Sequence, residues 1–156
     1  MNNFSESIHM LSFVLMPNHF HQLVWQRDEN AIDSYMNSLN TRYTSYFNRK
    51  YKRLGPLCQG VYKAVNISSE EQLLYVTSYI HRNPLPLISQ GLALRDWKYS
   101  SYPNYLRIRN DSWLNAELIL NNFPKTGNLT YKKFVEEEYS EKNTDGILTE
   151  VCIDDL

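Results

Sequence analysis

Met16-Pro17-Asn18-His19-Phe20-His21 lies between two apolar runs, and its reading decides how the N-terminal part of the chain folds. Residues 8–16, Ile-His-Met-Leu-Ser-Phe-Val-Leu-Met, read as a buried strand. Pro17-Asn18 fits a tight turn, because proline presets its φ and asparagine tolerates the next corner. Residues 19–25, His-Phe-His-Gln-Leu-Val-Trp, then read as the second strand of a hairpin. Strand side chains alternate, so His19, His21, Leu23 and Trp25 share one face and Phe20, Gln22 and Val24 the other. Two neutral imidazoles on one face at a strand end can share a divalent cation. The same spacing also arises by chance, so the pair alone does not establish a metal site.

Outward from the hairpin, residues 29–50 read as a long helix with Ile32, Tyr35, Met36, Leu39, Tyr43, Tyr46 and Phe47 as its inner stripe. Arg42, Ser45, Arg49 and Lys52 fall on another stripe, a candidate phosphate-facing edge. Gly55-Pro56 breaks the pattern, and residues 57–67 read as a third strand. Ser68 and Glu71 have capping-box spacing at the start of a second helix, whose inner stripe is Leu73, Val76, Thr77 and Ile80. Asn83-Pro84 ends it, since a residue before proline resists the helical region. Residues 97–106 read as a loop leading into a short helix, and 113–123 and 131–139 as two further short helices.

Composition places the chain among ordinary globular proteins: 156 residues, 42% apolar and 21% charged, with no run near the roughly 18 to 20 apolar residues of a membrane span. The N-terminus lacks the basic start of a secretory signal, and Cys58 and Cys152 form no framework, so a reduced, cytoplasmic protein is expected. Cys58 reads as a buried thiol. The net charge of −1 hides an asymmetry: residues 136–156 carry −7 and residues 1–135 carry +6. Between Asp33 and Glu70 there is no acid, while Arg42, Arg49, Lys50, Lys52, Arg53 and Lys63 are present. Such a stretch suits a polyanion, although a solvated basic helix face would look the same. The acidic segment 140–156 is expected to be disordered, leaving residues 8–139 as one domain.

Tyr79-Ile80-His81-Arg82-Asn83-Pro84 carries the second set of chemical groups. On a helix Tyr79 and Asn83, four apart, share a face. Asparagine offers a carbonyl oxygen as a third ligand for Mg²⁺ or Mn²⁺, and the phenol of Tyr79 offers an oxygen able to attack phosphorus. A bound metal would polarise the scissile phosphate. The plainer alternative is that Tyr79 packs and Asn83 caps. His81, two residues from Tyr79, points away from it, and His9 lies near a strand edge; neither is expected to be a ligand.

Together these motifs resemble the single-tyrosine HUH transposases of small insertion sequences, and more closely the REP-associated tyrosine transposases. The Met-Pro-Asn-His-x-His pattern stands at residues 16–21, and the Tyr-Ile-His-x-Asn-Pro helix end at residues 79–84. The Gln-Gly-x-Tyr-Lys run stands at residues 59–63. The Trp-Ser-Ser-Tyr segment appears, with an insertion, at residues 97–102. The resemblance covers about residues 8–139. It implies an α+β fold, a ferredoxin-like antiparallel sheet backed by helices, here expected to lack the usual first strand and helix. It implies that His19, His21 and Asn83 hold a divalent metal, Mg or Mn, and that Tyr79 becomes linked to a DNA 5′ phosphate. The expected substrate is single-stranded DNA beside a hairpin, contacted by Arg42, Arg49, Lys52, Arg53, Gln59 and Lys63. The resemblance is compatible with a homodimer or a monomer, in the cytoplasm and at the nucleoid. A repurposed relative that only binds DNA is the alternative. The chain departs from the family pattern at Val61, where relatives commonly carry arginine, and at Cys58, where they carry an aromatic.

Overall fold

A computed structural model describes residues 3–88, 92–125 and 130–138. The expected acidic tail, 140–156, lies outside the described residues. The chain is α+β. Its elements are β1 (Ile8–Leu15), β2 (Phe20–Gln26), α1 (Ala31–Tyr51), α2 (Glu70–Arg82), α3 (Tyr102–Tyr105), α4 (Glu117–Leu120) and α5 (Tyr131–Lys133), which continues as a π turn over Phe134–Glu138. Two 3-10 turns, Leu85–Leu87 and Leu94–Asp96, lie between α2 and α3. β1 and β2 form a two-stranded antiparallel sheet, closed where the Met16 N–H donates to the His19 carbonyl at 2.9 Å. A hairpin with helices packed on it is consistent with a shortened ferredoxin-like arrangement. By contacts the chain divides into two units, Met1–His9 with Trp25–Ala64, and Met10–Val24 with Val65–Leu156.

In the second unit, α2 packs on the hairpin. Leu11, Val14, Leu23, Tyr75, Val76 and Ile80 form a buried cluster, against which Met16, Val65, Ile67, Leu73, Tyr79 and Trp97 lie half-buried. Each aliphatic side chain so buried contributes about 1.5–3 kcal/mol relative to exposure. A second cluster, around Tyr102, Tyr105, Ile119, Tyr131 and Val135, gathers the short C-terminal helices. The outer edge of β1 is not left bare. Leu15 N–H donates to the Tyr99 carbonyl at 2.8 Å, Ser101 N–H to Phe13 at 2.9 Å, and Asn115 N–H to Met10 at 2.8 Å. Irregular backbone thus satisfies groups that a neighbouring strand would otherwise pair.

Residues 57–67, expected as a third strand, are not a strand. A strand exists only as part of a ladder, and among the described residues no further strand lies in the sheet to pair with it. Gly60, at φ 75°, also takes a conformation that a strand does not accept. Val61 is left almost wholly exposed, while Val65 and Ile67 still reach the core of the second unit.

In the first unit, α1 ends at Lys52, whose φ of 54° places it in the left-handed region with its N–H on the Asn48 carbonyl. The helix therefore stops before Gly55-Pro56. Asn48 Nδ2 then holds the Gly55 carbonyl at 2.8 Å.

The start of α2 is shifted by one residue from the expected frame. Ser69, not Ser68, is the N-cap: its hydroxyl accepts from Gln72 N–H at 3.1 Å, and Gln72 Oε1 reaches back to Ser68 N–H at 2.8 Å. Ser69→Ala should therefore cost about 1 kcal/mol in a urea titration. Ser68→Ala should cost clearly less; the reverse order would restore the original frame. The helix end also differs in its cause. Asn83 precedes proline yet keeps helical angles (φ −47°, ψ −36°), and its N–H still bonds the Tyr79 carbonyl at 3.0 Å. Pro84 cannot donate, so the α pattern stops there and tightens into the 3-10 turn Leu85–Leu87.

Candidate active site

The Pro17-Asn18 turn and the alternation of β2 bring the two histidines to one place. His19 is exposed at the turn and His21 is buried one pleat further along, with ring centroids 4.9 Å apart. Asn18 Oδ1 lies 2.8 Å from His19 Nδ1. If that amide oxygen accepts, Nδ1 carries the proton and Nε2 presents its lone pair, the tautomer a metal ligand needs.

α2 supplies the other groups. Its inner face is buried against the hairpin through Val76 and Ile80, and this sets Tyr79 at the side of the core, half-buried. Its ring centroid is 5.7 Å from that of His21. Asn83, one turn on, lines the same concavity as His19. His19, His21, Tyr79 and Asn83 all belong to the second unit, so they are assembled within one compact body. Among the described residues no three of His, Cys, Asp and Glu cluster as a metal site. Asn83 offers an amide oxygen on the concavity that His19 lines, so a cation at the histidine pair would find an oxygen donor there beside water. The oxygen donors suit Mn²⁺ or Mg²⁺, and the two imidazoles favour the softer of the two, Mn²⁺.

The remaining expected residues lie in the first unit. Arg42 and Arg49 are on α1, Lys52 and Arg53 just beyond it, and Gln59 and Lys63 in exposed coil. Tyr43 and Tyr46, expected as core, are more than half exposed. Tyr43 belongs to an aromatic row with Phe47 and Tyr51, at centroid spacings of 6.1 and 4.4 Å. Cations accompany it. Lys50 Nζ lies 5.6 Å from the Tyr46 ring and 5.4 Å from that of Tyr51, and the Arg53 guanidinium 5.7 Å from Phe47. Hydrogen bonding to Tyr46 holds the Lys50 pKa above its ordinary value, so it stays cationic. The signal available in the sequence was the absence of acids across this aromatic stretch.

Cys58 is exposed rather than buried, because the strand expected to carry it does not form. His9 sits beside Trp25, with centroids 5.1 Å apart. His81 points away from Tyr79, as expected, into full burial. Its Nδ1 is 2.6 Å from Tyr131 Oη and its Nε2 2.7 Å from Ser101 Oγ.

A family model described as IS200-like transposase matches residues 4–83, a range that includes both histidines, Tyr79 and Asn83. No curated protein and no solved structure matches the chain.

Proposed function

The chain belongs to the IS200-like transposase family, and on that premise we propose that it nicks and rejoins single-stranded DNA through a 5′-phosphotyrosine intermediate, as a single-tyrosine HUH enzyme of the REP-associated type. The observation that carries this reading is the meeting of the Tyr79 and His21 rings, 5.7 Å apart, beside the His19–His21 pair. Tyr79 Oη would bond to phosphorus while the P–O3′ bond breaks. The phenolic proton leaves to solvent, and the departing 3′ oxygen ends as a hydroxyl. Reversal by another 3′ hydroxyl rejoins the strand, since the phosphotyrosine conserves the bond.

His19, His21 and Asn83 would hold a divalent cation, which supplies charge stabilisation at the scissile phosphate. Asn18 orients the His19 ring, and the core beneath α2 fixes the height of Tyr79. All four residues lie in one unit of one chain, an arrangement compatible with a monomer, with a homodimer as the alternative. Arg42, Arg49, Lys52, Arg53, Gln59 and Lys63 are the proposed DNA contacts, now joined by Lys50 and the exposed aromatics of α1, which suit stacking against unpaired bases. The domain is taken to run over residues 8–139, since Tyr131 and Val135 are buried in the same unit as the site. A protein that binds DNA without cutting it is the second reading, favoured by a sheet of only two strands among the described residues.

The test is a denaturing gel of the protein with labelled hairpin-bearing single-stranded DNA, with and without Mn²⁺. A protease-sensitive adduct that needs the metal is the expected result. No adduct across a panel of hairpins, from a folded protein that still binds them, would support the second reading.

A further inference from the structure

The concavity beside the histidine pair has a wall that phosphate and metal do not need. Met16, Pro17, Pro86 and Leu87 form its apolar sides, Asn18, His19 and Asn83 its polar atoms, and its volume is about 490 Å³. A cation and a phosphoryl group are matched by imidazole, amide and water, not by hydrocarbon. The apolar side is nevertheless built deliberately into two tight turns. Pro17 belongs to the hairpin turn, and Pro86 and Leu87 to the 3-10 turn closed by Leu87 N–H on the Pro84 carbonyl at 2.9 Å. Leu87 is 47% exposed, so it gives its hydrocarbon to the concavity rather than to the core.

We propose that this concavity is a nucleobase subsite, which takes the unstacked base of a nucleotide flanking the phosphate at His19, His21 and Asn83. The inference rests on the reading of the site as one that processes single-stranded DNA. An unpaired base has two apolar faces and a polar edge, and the concavity offers apolar walls with two amides at its rim. Its volume falls in the range of small-ligand sites, about 300–1,000 Å³, large enough for one nucleoside. With Asn18 Oδ1 accepting from His19 Nδ1–H, 2.8 Å away, its amide nitrogen is the pole that can donate to an acceptor on the base edge. The site would then select the nucleotide next to the cut, with Leu87 and Met16 as specificity residues that take no part in the chemistry.

The test uses the full chain and hairpin-bearing single-stranded DNA in which a single abasic position is walked along the strand. Binding is read by fluorescence anisotropy and adduct formation by denaturing gel with Mn²⁺. One position beside the cut should stand out, its abasic form binding the unaltered protein about tenfold more weakly, the scale of losing one group buried against hydrocarbon. Leu87→Trp fills the concavity. It should weaken intact DNA by a similar factor and show no further loss at that abasic position, since both changes remove one interaction. Retained binding of the abasic strand shows that the variant is folded. No distinguished position, or losses in the variant that multiply, would overturn the subsite. The positional pattern without any adduct would keep the subsite and refute the phosphotyrosine chemistry. An adduct insensitive to every abasic position would do the reverse, and absence of DNA binding would overturn both.

Discussion

Tyr79→Phe should abolish the covalent DNA adduct while changing DNA affinity by no more than about twofold. The substitution removes one oxygen and keeps the ring. That ring lies half-buried against the cluster of Leu11, Val14, Leu23, Tyr75, Val76 and Ile80, and 5.7 Å from the His21 ring, so the packing that positions α2 persists. The chemistry has no comparable tolerance. Without Oη there is no atom at that position to bond to phosphorus, and the loss should exceed the 10²–10⁴-fold typical of removing a group that only moves protons. Adduct yield on a denaturing gel and anisotropy of the same strand separate the two quantities. Persistence of the adduct would move the nucleophile to another hydroxyl. Loss of binding together with the adduct, in a protein with unchanged melting, would make Tyr79 a DNA contact rather than a nucleophile.

The groups brought together at this site were legible because each rests on a local period. The period of two along His19-Phe20-His21 survives as an exposed and a buried imidazole on one strand end, and the period of four from Tyr79 to Asn83 survives as a helix face. What failed was knowledge that depends on neighbours. Residues 57–67 have the composition of a strand, but a strand requires a partner elsewhere in the chain, and no local pattern reports whether one is present. The same lack misplaced Tyr43 and Tyr46: aromatic spacing along α1 marks a face, not whether anything covers it. The capping frame slipped because Ser68 and Ser69 are both able to cap, and the choice between them is made by where Gln72 can reach.

His81 is the residue whose importance its sequence position conceals, and its replacement should change how stability depends on pH. It is fully buried, and desolvation lowers its pKa from the usual 6.5 to about 3. The rings around it are those of Tyr102, Tyr105 and Tyr131, at centroid distances of 5.4, 4.6 and 5.7 Å. Burial holds all three phenols above their ordinary pKa, so none supplies a negative charge to an imidazolium; Tyr102 Oη donates to Glu136 at 2.9 Å.

One assignment of protons satisfies every contact of the neutral ring. Tyr131 donates to Nδ1, Nε2–H donates to Ser101 Oγ, and Ser101 donates to the Phe13 carbonyl while accepting from Phe13 N–H. The imidazole thereby ties α2, two residues beyond Tyr79, to β1 and α5. A lowered folded-state pKa makes the unfolded chain bind the extra proton. The neutral ring's contribution is therefore complete above about pH 6.5 and is lost as pH falls toward 3, at about 1.4 kcal/mol per pH unit within that window. His81→Gln keeps hydrogen-bonding capacity without a titrating group. It should be less stable than the unaltered chain at pH 7.5, by about 1–3 kcal/mol for an imperfectly matched buried partner, and the gap should narrow by about 2 kcal/mol at pH 5. Urea titrations at the two values read this directly. Parallel pH dependence of the two proteins would mean that His81 takes up its proton alike in the folded and the unfolded chain, so that burial does not hold it neutral.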